Sequence, residues 1–363
     1  MLNQLFLRVK NKCIRILRSY GLFLPTRQFL KITNSQKKFK LLIVAPGMLS
    51  IPPKGWGAVE HIISETIGIF EQNGFEVWIL NSKHKKEWIE AGKFKYDVIL
   101  NHSDQDCLRI KKFWPKIPLV TVSHYGFGAF EEAWNREFKK ILTQMDVSDT
   151  IVCLSNEVKK TFSKYIVNAK LIVSPNGSSF APKTGRDPNA PLVCVGKIEK
   201  RKYQYELWNS LRNTSLRIVF IGPIVDNRIT TLIKKNKASK NYFIGAKDRE
   251  YLSENLQNFS GLILSSLGEA DALVLYEAQL AGLPIFVSEK GLGSQNRNLD
   301  WVKVIPKHID VRKIEKILSK YNIPADTVSA FARYHYSWEV RSKPLLKELL
   351  SQVISNKKRT HSF

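Results

Sequence analysis

LLIVAPGMLSIPPKGWGAVEHIISETIGIF, residues 41 to 70, contains three successive patterns. Its first six residues, Leu41 to Pro46, form a short apolar run that is typical of a strand buried on both faces. A loop rich in glycine and proline follows through Gly57, and a helical pattern then runs from Val59 to Asn73. A buried strand, a loop and a helix in this order predict the βα unit of a parallel sheet.

The same alternation continues on both sides of a break in the chain. Residues 174 to 191, SPNGSSFAPKTGRDPNAP, are dense in proline, glycine, serine and asparagine, and we predict that they form an interdomain linker. The predicted strands are LLIVAP, FEVWIL, DVIL, PLVTVSH and TIVCLS before the linker, and LVCVG, LRIVFIG, NYFIG, GLILSS and LPIFVS after it. Two α/β domains, each with a doubly wound parallel sheet, are therefore expected.

The length of 363 residues also favours two domains, because one hydrophobic core rarely serves a chain of this size. We predict four regions: a basic amphipathic N-terminal segment at 1–38, a Rossmann-like domain at 39–180, a second Rossmann-like domain at 190–340, and a C-terminal helix with a basic tail at 341–363. The apolar residues of that final helix fall between Pro344 and Val353.

The charge balance is strongly basic, with 57 Lys and Arg residues against 32 Asp and Glu residues and a formal net charge of +25. This excess favours a polyanionic partner, and a lysine-rich solvated surface is the alternative. The sequence contains no recognised nucleic-acid reader motif, so no specific nucleic acid is expected as a partner. No stretch predicts a bilayer span, the four cysteines are scattered, and no cleavable secretory signal is visible, which together favour the cytoplasm.

The first 20 residues carry an apolar stripe at helical spacing. Its members are Leu2, Leu5, Phe6, Val9, Cys13, Ile16, Leu17 and Tyr20. Arg8, Lys10, Arg15 and Arg18 lie off the stripe, as in a helix that buries its apolar side in lipid and presents cations to anionic headgroups. We therefore predict that residues 1–20 dock on an anionic membrane surface, so that the protein is peripheral on the cytoplasmic face. The alternative is a helix that packs on the protein's own domain.

A pair of carboxylates frames one predicted strand-to-helix junction in the second domain. GEADALVLYEAQLAGLP, Gly268 to Pro284, places Glu269 in the loop after a strand and Glu277 at or just inside the following helix. Carboxylates accept hydrogen bonds from sugar hydroxyls, and the amides and dipole of a helix N-terminus hold phosphates, so the pair suits a nucleotide diphosphate sugar. Two solvated glutamates on a surface helix are the alternative explanation for this pair taken alone.

An ordered set of motifs resembles glycosyltransferase family 4, retaining enzymes of the GT-B fold. PPKGWGAVEHI resembles the family's glycine loop, LSNEVKKTF its Ser-x-x-x-Lys segment, and IVSPNG its Ile-x-Pro-Asn-Gly turn. VGKIEKRK resembles Val-Gly-Arg-x4-Lys, and the carboxylate stretch resembles Glu-x7-Glu followed by Ala-x-x-x-Gly-x-Pro. The resemblance runs from about Leu41 to Leu350 and implies two domains that face a cleft, with the last helix crossing back to the first domain.

The resemblance also implies roles for individual residues of the second domain. Glu269 would contact hydroxyls of the transferred sugar, and Glu277 would bind the ribose. The diphosphate would be held by backbone amides near Ala272, Leu273 and Val274 and neutralised by Lys197 and Lys202 as the nucleotide leaves.

In the first domain, the resemblance points to the glycine loop and to one histidine. Gly55 and Gly57 would let the backbone approach the phosphates, because neither carries a Cβ atom. His124, at the end of the predicted strand PLVTVSH, would face the donor sugar and the acceptor.

The chain departs from the family pattern at several of these positions. Lys197 replaces an arginine and lacks its bidentate fork, so phosphate contacts of a different shape are expected. Ala58 replaces the second loop glycine, Asp271-Ala272 replaces Phe-Gly, and Tyr203 replaces a glycine. Asp271 adds a carboxylate beside the predicted donor site and is expected to affect which sugar fits.

The predicted function is therefore retaining transfer of a hexose-type sugar from a nucleotide diphosphate sugar to a glycan or lipid-linked glycan, in assembly of surface polysaccharide or lipopolysaccharide. No metal-binding cluster is visible, and there is no Asp-x-Asp of the kind that other glycosyltransferases use to hold a divalent ion, so catalysis without metal or other cofactor is expected. The alternatives are a non-catalytic GT-B-like binding or assembly protein, a nucleic-acid-binding protein and a nucleotide-sugar epimerase. The sequence leaves the donor sugar, its nucleotide, the acceptor and the oligomeric state open.

Overall fold

The computed structural model describes residues 26–33, 36–55, 57–125, 136–211, 214–235, 242–306 and 311–361. Within these ranges the chain forms two parallel-sheet domains. The predicted amphipathic helix at residues 1–20 lies outside the described residues. None of the helices in this part of the chain combines the length and the apolarity that a membrane span requires.

The sheet of the first domain has seven strands among the described residues, in the order β1-β3-β2-β4-β5-β6-β7. They are β1 (Arg27–Lys31), β2 (Phe39–Val44), β3 (Phe75–Ser82), β4 (Val98–Asn101), β5 (Leu119–Val122), β6 (Thr150–Cys153) and β7 (Lys170–Val173). Strands β2 to β7 are parallel, and Leu41 of the central strand β2 lies opposite Val77 of β3 and Val98 of β4. Each of these strands except β7 is fully or mostly buried, which accounts for their apolar runs.

Helices cover both faces of this sheet. They are α1 (Ala58–Gln72), α2 (Lys85–Gly92), α3 (Cys107–Phe113), α4 (Arg136–Met145) and α5 (Asn156–Phe162). Side chains of β2 point alternately to the two faces, so Leu41 and Ile43 join the core under α1, whereas Leu42 and Val44 join the core under α2 to α5. The predicted first domain is thus doubly wound.

Strand β1 belongs to the first sheet although its residues fall in the predicted N-terminal segment 1–38. It pairs antiparallel with β3, with Arg27 opposite Ser82 and Lys31 opposite Trp78. The ring of Phe29 stacks on Trp78 at a centroid distance of 5.6 Å. The sheet of the first domain therefore includes residues 27–31, which fall inside the range predicted for the N-terminal segment.

The sheet of the second domain is parallel throughout, with the order β10-β9-β8-β11-β12-β13 among the described residues. Its strands are β8 (Leu192–Val195), β9 (Ile218–Ile221), β10 (Tyr242–Phe243), β11 (Leu262–Leu264), β12 (Ile285–Ser288) and β13 (Val302–Ile305). Its helices are α6 (Gln204–Ser210), α7 (Asn227–Lys235), α8 (Arg249–Asn255), α9 (Leu273–Leu280), α10 (Val311–Ser319) and α11 (Ala325–Tyr336). Buried side chains from alternate strand positions again form two cores, one on each face.

Residues 174–191 form neither helix nor strand and connect the two sheets, where the sequence predicts a linker. The linker is fixed to the second domain by its backbone. Ser178 donates its N–H to the carbonyl of Tyr336 at 2.9 Å, and Lys183 donates to the carbonyl of Leu280 at 2.8 Å. A Cβ atom on Gly177 would lie 3.0 Å from the Trp338 ring, so the linker approaches this residue closely.

The last helices return to the first domain. The short helix α12 (Trp338–Arg341) is followed by α13 (Lys343–His361). Leu345, Leu346, Leu349 and Val353 of α13 pack in the first-domain core that contains Leu41. Glu348 of α13 also accepts hydrogen bonds from Thr150 at 2.7 Å and from Lys170 at 2.5 Å. The chain therefore crosses between the domains twice, once in the linker and once before α13.

Candidate active site

A cleft of about 450 Å³ is lined by residues of both domains. Its walls are the loops that follow β2 and β5 in the first sheet and β8 and β11 in the second. These loops leave the carboxyl ends of parallel strands, where ligands of open α/β sheets bind. The structure brings together every site residue singled out from the sequence, namely Gly55, Gly57, His124, Lys197, Lys202, Glu269, Ala272, Leu273, Val274 and Glu277. The roles of these residues stay predictions.

The glycine loop forms the first-domain wall beside α1. Gly55 and Gly57 have φ angles of 102° and 141°, which side chains with a Cβ atom rarely allow. A Cβ atom on Gly57 would also lie 2.7 Å from a methyl group of Leu49. The ring of His61, one turn into α1, lies 2.7 Å from the carbonyl oxygen of Gly55 and holds the loop. The loop backbone is therefore fixed against the cleft.

Glu269 lies at the floor of the second-domain wall with 8% of its surface exposed. Its Oε1 atom lies 2.5 Å from Nζ of Lys202 and 3.3 Å from the guanidinium of Arg201. Burial disfavours the carboxylate, but the charges of Lys202 and Arg201 outweigh burial, and the pKa of Glu269 is lowered. Glu269 is therefore held ionised at neutral pH and can accept hydrogen bonds.

Glu277 lies in the first turns of α9 and is 3% exposed. Its carboxylate contacts the guanidinium of Arg249, the first residue of α8. Burial raises the pKa of Glu277, the charge of Arg249 offsets part of this rise, and the charge of Glu65 adds slightly to it. Glu269 thus lies in the loop after β11, and Glu277 lies inside the helix that follows this loop, as the spacing in the sequence predicts.

The N-terminus of α9 opens into the cleft between these two carboxylates. Ala272 is its N-cap residue, and no described side chain caps the helix there. Ala272, Leu273 and Val274 all line the cleft. An uncapped helix start presents backbone N–H groups and the positive end of the helix dipole, which suits an anionic group such as a phosphate.

His124 follows β5 and faces the cleft from the first domain. Its Nε2 atom lies 2.9 Å from Nδ1 of His102, and the two rings are stacked. Burial lowers the pKa of His124 to about 4, and burial together with the neighbouring His124 lowers the pKa of His102 well below its usual value. The pair is therefore neutral at physiological pH, and each ring can both donate and accept a hydrogen bond.

The loop after β8 supplies the cations of the cleft. Lys202 forms an ion pair with Glu269. Lys197 has 40% of its side chain exposed, and its Nζ atom lies 3.3 Å from Oε2 of Glu199. Arg201, to which the sequence motifs assign no role, donates to the carbonyl of Gly268 and contacts both Glu199 and Glu269. In the sequence it stands in the run KRK, residues 200–202, and this run does not indicate which of the three cations contacts Glu269.

Asp271 lines the cleft, but its carboxylate is engaged in the protein interior. It accepts hydrogen bonds from the hydroxyl of Tyr276 at 2.6 Å, the N–H of Asn176 at 2.8 Å and the N–H of Ser294 at 3.0 Å. The amide of Asn176 also donates to the carbonyl of Asp271 at 2.7 Å. This departure from the family pattern therefore anchors the linker to the start of α9.

Further residues of the quoted motifs also line the cleft, and among them Asp271 lies beside the predicted donor site, as expected. They are Ala58, Val59, His61, Ile62, Leu154, Asn176, Val195, Gly196, Glu199, Arg201, Ala270 and Asp271. Lys247, Arg249 and Leu252 line the cleft from outside these motifs, and their positions depend on tertiary packing. Within the described ranges, His, Cys, Asp and Glu side chains form no group of three or more that could hold a metal ion.

No family model matches the chain. A UDP-Gal:alpha-D-GlcNAc-diphosphoundecaprenol alpha-1,3-galactosyltransferase from Escherichia coli is 24% identical over 227 residues, which cover 54% of this chain and 58% of that protein. The alignment thus spans little more than half of this relative's length.

Two solved structures share the architecture over most of this chain. Sucrose-phosphate synthase from Thermosynechococcus elongatus matches with a TM-score of 0.69 and 14% identity over 88% of this chain and 100% of that one. HepE from Anabaena, in complex with UDP and glucose, matches with a TM-score of 0.65 and 14% identity over 86% of this chain and 100% of that one. At such low identity the likeness concerns the fold, and it confirms that this chain has the two-domain GT-B fold.

Proposed function

We propose that this chain is a retaining glycosyltransferase that moves a hexose from a UDP-hexose to a lipid-linked glycan, in assembly of surface polysaccharide or lipopolysaccharide. The relative from Escherichia coli is named for a UDP-Gal donor and a diphosphoundecaprenol-linked acceptor. HepE, which has the same fold, was solved with UDP and glucose. Both names support a uridine diphosphate donor for this chain.

The observation that carries the proposal is the arrangement around Glu269. A buried carboxylate is kept ionised by Lys202 and Arg201 beside the uncapped start of α9. An ionised carboxylate accepts hydrogen bonds from sugar hydroxyls, and the helix start attracts phosphate. A sugar and a phosphate joined in one molecule match this pair of subsites.

The diphosphate would lie against the amides of Ala272, Leu273 and Val274, with Lys197 and Lys202 at its other side. Negative charge grows on the β-phosphate as the bond to the sugar breaks, so cations and fixed amides stabilise the transition state more than the bound donor. Removing one such contact in other enzymes slows turnover by about 10² to 10³-fold.

His124 would face the transferred sugar as a neutral ring. Its low pKa keeps it uncharged at pH 7, so it would act as a hydrogen-bond partner of a sugar or acceptor hydroxyl. In the retaining reaction that the family resemblance implies, the acceptor attacks on the face from which the nucleotide leaves, and the leaving phosphate takes up the acceptor's proton. Glu269, His124, Lys197 and Lys202 are the proposed catalytic residues.

The first experiment compares the wild type with Glu269→Gln and the matched control Glu289→Gln, whose carboxylate is on the surface and contacts Arg297. Thermal shift and turnover are measured with UDP-galactose, UDP-glucose, GDP-mannose and dTDP-glucose, with and without EDTA. We expect one UDP-sugar to stabilise all three proteins, and Glu269→Gln to lose turnover by at least about 10²-fold. Proton NMR of the product's anomeric centre tests retention.

The outcomes of this experiment separate the proposal from its main rival. Donor binding without any turnover in the wild type would favour a non-catalytic binding protein. Loss of activity in EDTA that is restored by a divalent ion would contradict the metal-independent mechanism. Absence of binding to every nucleotide sugar would reject the donor site itself.

Membrane docking by residues 1–20 is the second part of the proposal, and the fold sharpens its test. A truncation to residue 38 would also remove β1, which pairs with β3. The informative variant therefore begins at residue 26. We expect it to keep turnover on a soluble acceptor and to lose sedimentation with anionic vesicles, and unchanged sedimentation would contradict docking by this segment.

A further inference from the structure

Arg249 lies at the point where the two domains meet beside the cleft. It is the first residue of α8, and its guanidinium lies over the ring of Phe180 in the linker at 4.5 Å. Only 18% of its side chain is exposed. A cation with so little access to water needs carboxylate partners, and Arg249 has them in both domains.

The two partners come from different sheets. The guanidinium lies 2.7 Å from Oε1 of Glu65, on α1 of the first domain, and it contacts Oε1 of Glu277, on α9 of the second domain. We call this set of residues, Glu65, Arg249 and Glu277, the Arg249 bridge. Planar guanidinium groups suit such bridging because their donors point in fixed directions.

The first-domain end of the bridge is held by the two chain crossings. Oε2 of Glu65 accepts a hydrogen bond from the indole N–H of Trp338 at 2.6 Å and from the N–H of Ser179 at 3.2 Å. Trp338 begins α12, which leads into the returning helix, and Ser179 lies in the linker. The position of Arg249 therefore depends on both connections between the domains.

The second-domain end of the bridge is a residue of the proposed donor site. Glu277 is buried, and a buried carboxylate without a cation takes up a proton and loses its capacity as a double acceptor. Arg249 is the cation that contacts it, and it does so at Oε1. A ribose hydroxyl would then donate to the other carboxylate oxygen, Oε2.

We propose that Arg249 is a positioning residue that holds Glu277 for the ribose of a bound nucleotide, and that Glu65, by fixing the guanidinium of Arg249, makes this orientation dependent on the first domain. The inference rests on the proposed function of the cleft. It extends that function, because it makes the affinity for the nucleotide depend on the contact between Arg249 and Glu65, which lie in different domains.

The test measures UDP affinity of the full chain by titration calorimetry for Arg249→Met, Arg249→Lys and Glu65→Gln. Arg228→Met is the matched control, because Arg228 also contacts two carboxylates, Asp226 and Glu206, but does not line the cleft. Melting temperatures of all variants are recorded, and affinities are compared well below them, so that loss of fold is not read as loss of binding.

We expect Arg249→Met to weaken UDP binding by about tenfold or more, the range for a lost hydrogen bond between charged groups. Arg249→Lys should restore part of the affinity, since it returns the charge without the fork. Glu65→Gln should weaken binding by about threefold or more although Glu65 does not line the cleft. In turnover, Arg249→Met should raise KM for the UDP-sugar more than it lowers kcat.

Three results would overturn the inference. Tighter UDP binding in Arg249→Met would show that Arg249 competes with the ribose for Glu277. Equal affinity in Arg249→Met and the wild type would remove the positioning role, and equal affinity in Glu65→Gln would remove the dependence on the first domain. A wild type that binds none of UDP, GDP and dTDP would instead reject the proposed function, which distinguishes the two failures.

Discussion

Tyr203 has a left-handed backbone with φ 60° and ψ 23°, at the position where the family pattern has glycine. It precedes α6 and follows Lys202, so this turn directs a cation into the cleft. Side chains with a Cβ atom lose about 1 to 2 kcal/mol in this conformation, whereas glycine adopts it freely. Tyr203 in place of glycine thus keeps the left-handed turn and adds backbone strain to it.

Replacing Tyr203 with glycine should therefore stabilise the protein. We expect Tyr203→Gly to raise the free energy of unfolding by about 0.5 to 1 kcal/mol, because the relief of strain exceeds the larger chain entropy of glycine. Tyr203→Val should lower it by about 1 kcal/mol or more, because β-branched residues tolerate this backbone least. Urea denaturation measures both, and a less stable Tyr203→Gly would contradict the argument.

Asp104 is a buried carboxyl group next to the histidine pair of the cleft. Its Oδ1 atom has no hydrogen-bond partner among the described residues. Burial raises its pKa to about 7, while the nearby Ser123 and backbone N–H groups lower it in part. The folded state therefore holds a proton that the unfolded chain releases above its ordinary pKa of 3.8. Stability from this group is lost as the pH rises from about 4 to about 7.

Asp104→Asn should remove this pH dependence, because an amide does not ionise. When the pH is raised from 5 to 8, the wild type should lose about 2 to 3 kcal/mol of unfolding free energy relative to the variant. Denaturation at both pH values measures the difference between the two proteins. If the wild type and variant show the same change with pH, Asp104 is ionised in the fold at pH 5 as well.

Site residues could be predicted from sequence where a motif ties them to the end of a strand. Glu269, Glu277 and His124 follow or flank buried apolar runs, so the carboxyl-end rule brings them together. Arg249 could not be found this way, since its partners Glu65 and Glu277 come from two domains. Arg201 could not be separated from its neighbours in a basic loop.

At the scale of elements, the strands that the sequence missed lie at the edges of the sheets or next to the linker. The sequence of β1 is RQFLK and that of β13 is VKVI. Both strands contain charged residues because part of each edge strand is exposed to solvent. β7 lies beside the linker and is only partly buried. Apolar runs reveal central strands such as β2, which are buried on both faces, more readily than edge strands, of which only β10 was predicted.

The returning helix α13 allows a direct test at this scale. Leu349 is 0% exposed in the core of the first domain, whereas Ile354 on the same helix is 50% exposed. We expect Leu349→Ala to lower the free energy of unfolding by about 2 to 4 kcal/mol, and Ile354→Ala to change it by less than about 0.5 kcal/mol. Similar losses in the two variants would mean that α13 does not bury the face described.

For the whole molecule, three sets of contacts tie the domains together. They are the burial of α13 in the first core, the hydrogen bonds between Asn176 and Asp271, and the Arg249 bridge. The Asn176–Asp271 hydrogen bonds and the Arg249 bridge are buried or nearly buried, so salt should weaken them less than it weakens surface ion pairs. The two domains should therefore unfold together.

Differential scanning calorimetry tests this coupling. We expect a single endotherm for the wild type, and we expect Leu349→Ala to shift the whole endotherm to lower temperature although Leu349 belongs to the first core. Saturating UDP should shift it upward as one transition, because ligand bound to the native state stabilises the coupled unit. Two endotherms, of which Leu349→Ala shifts one, would show that the domains unfold independently.

The path of α13 also has a consequence for biosynthesis. β7, the last strand of the first sheet, ends at Val173, but the helix that completes the core under α1 begins at Lys343. Ribosomes add about 5 to 20 residues per second, so the roughly 170 intervening residues take roughly 10 to 30 s. During this time the nascent first domain exposes the apolar face that α13 later covers. Protection by chaperones is therefore most needed while the second domain is being translated.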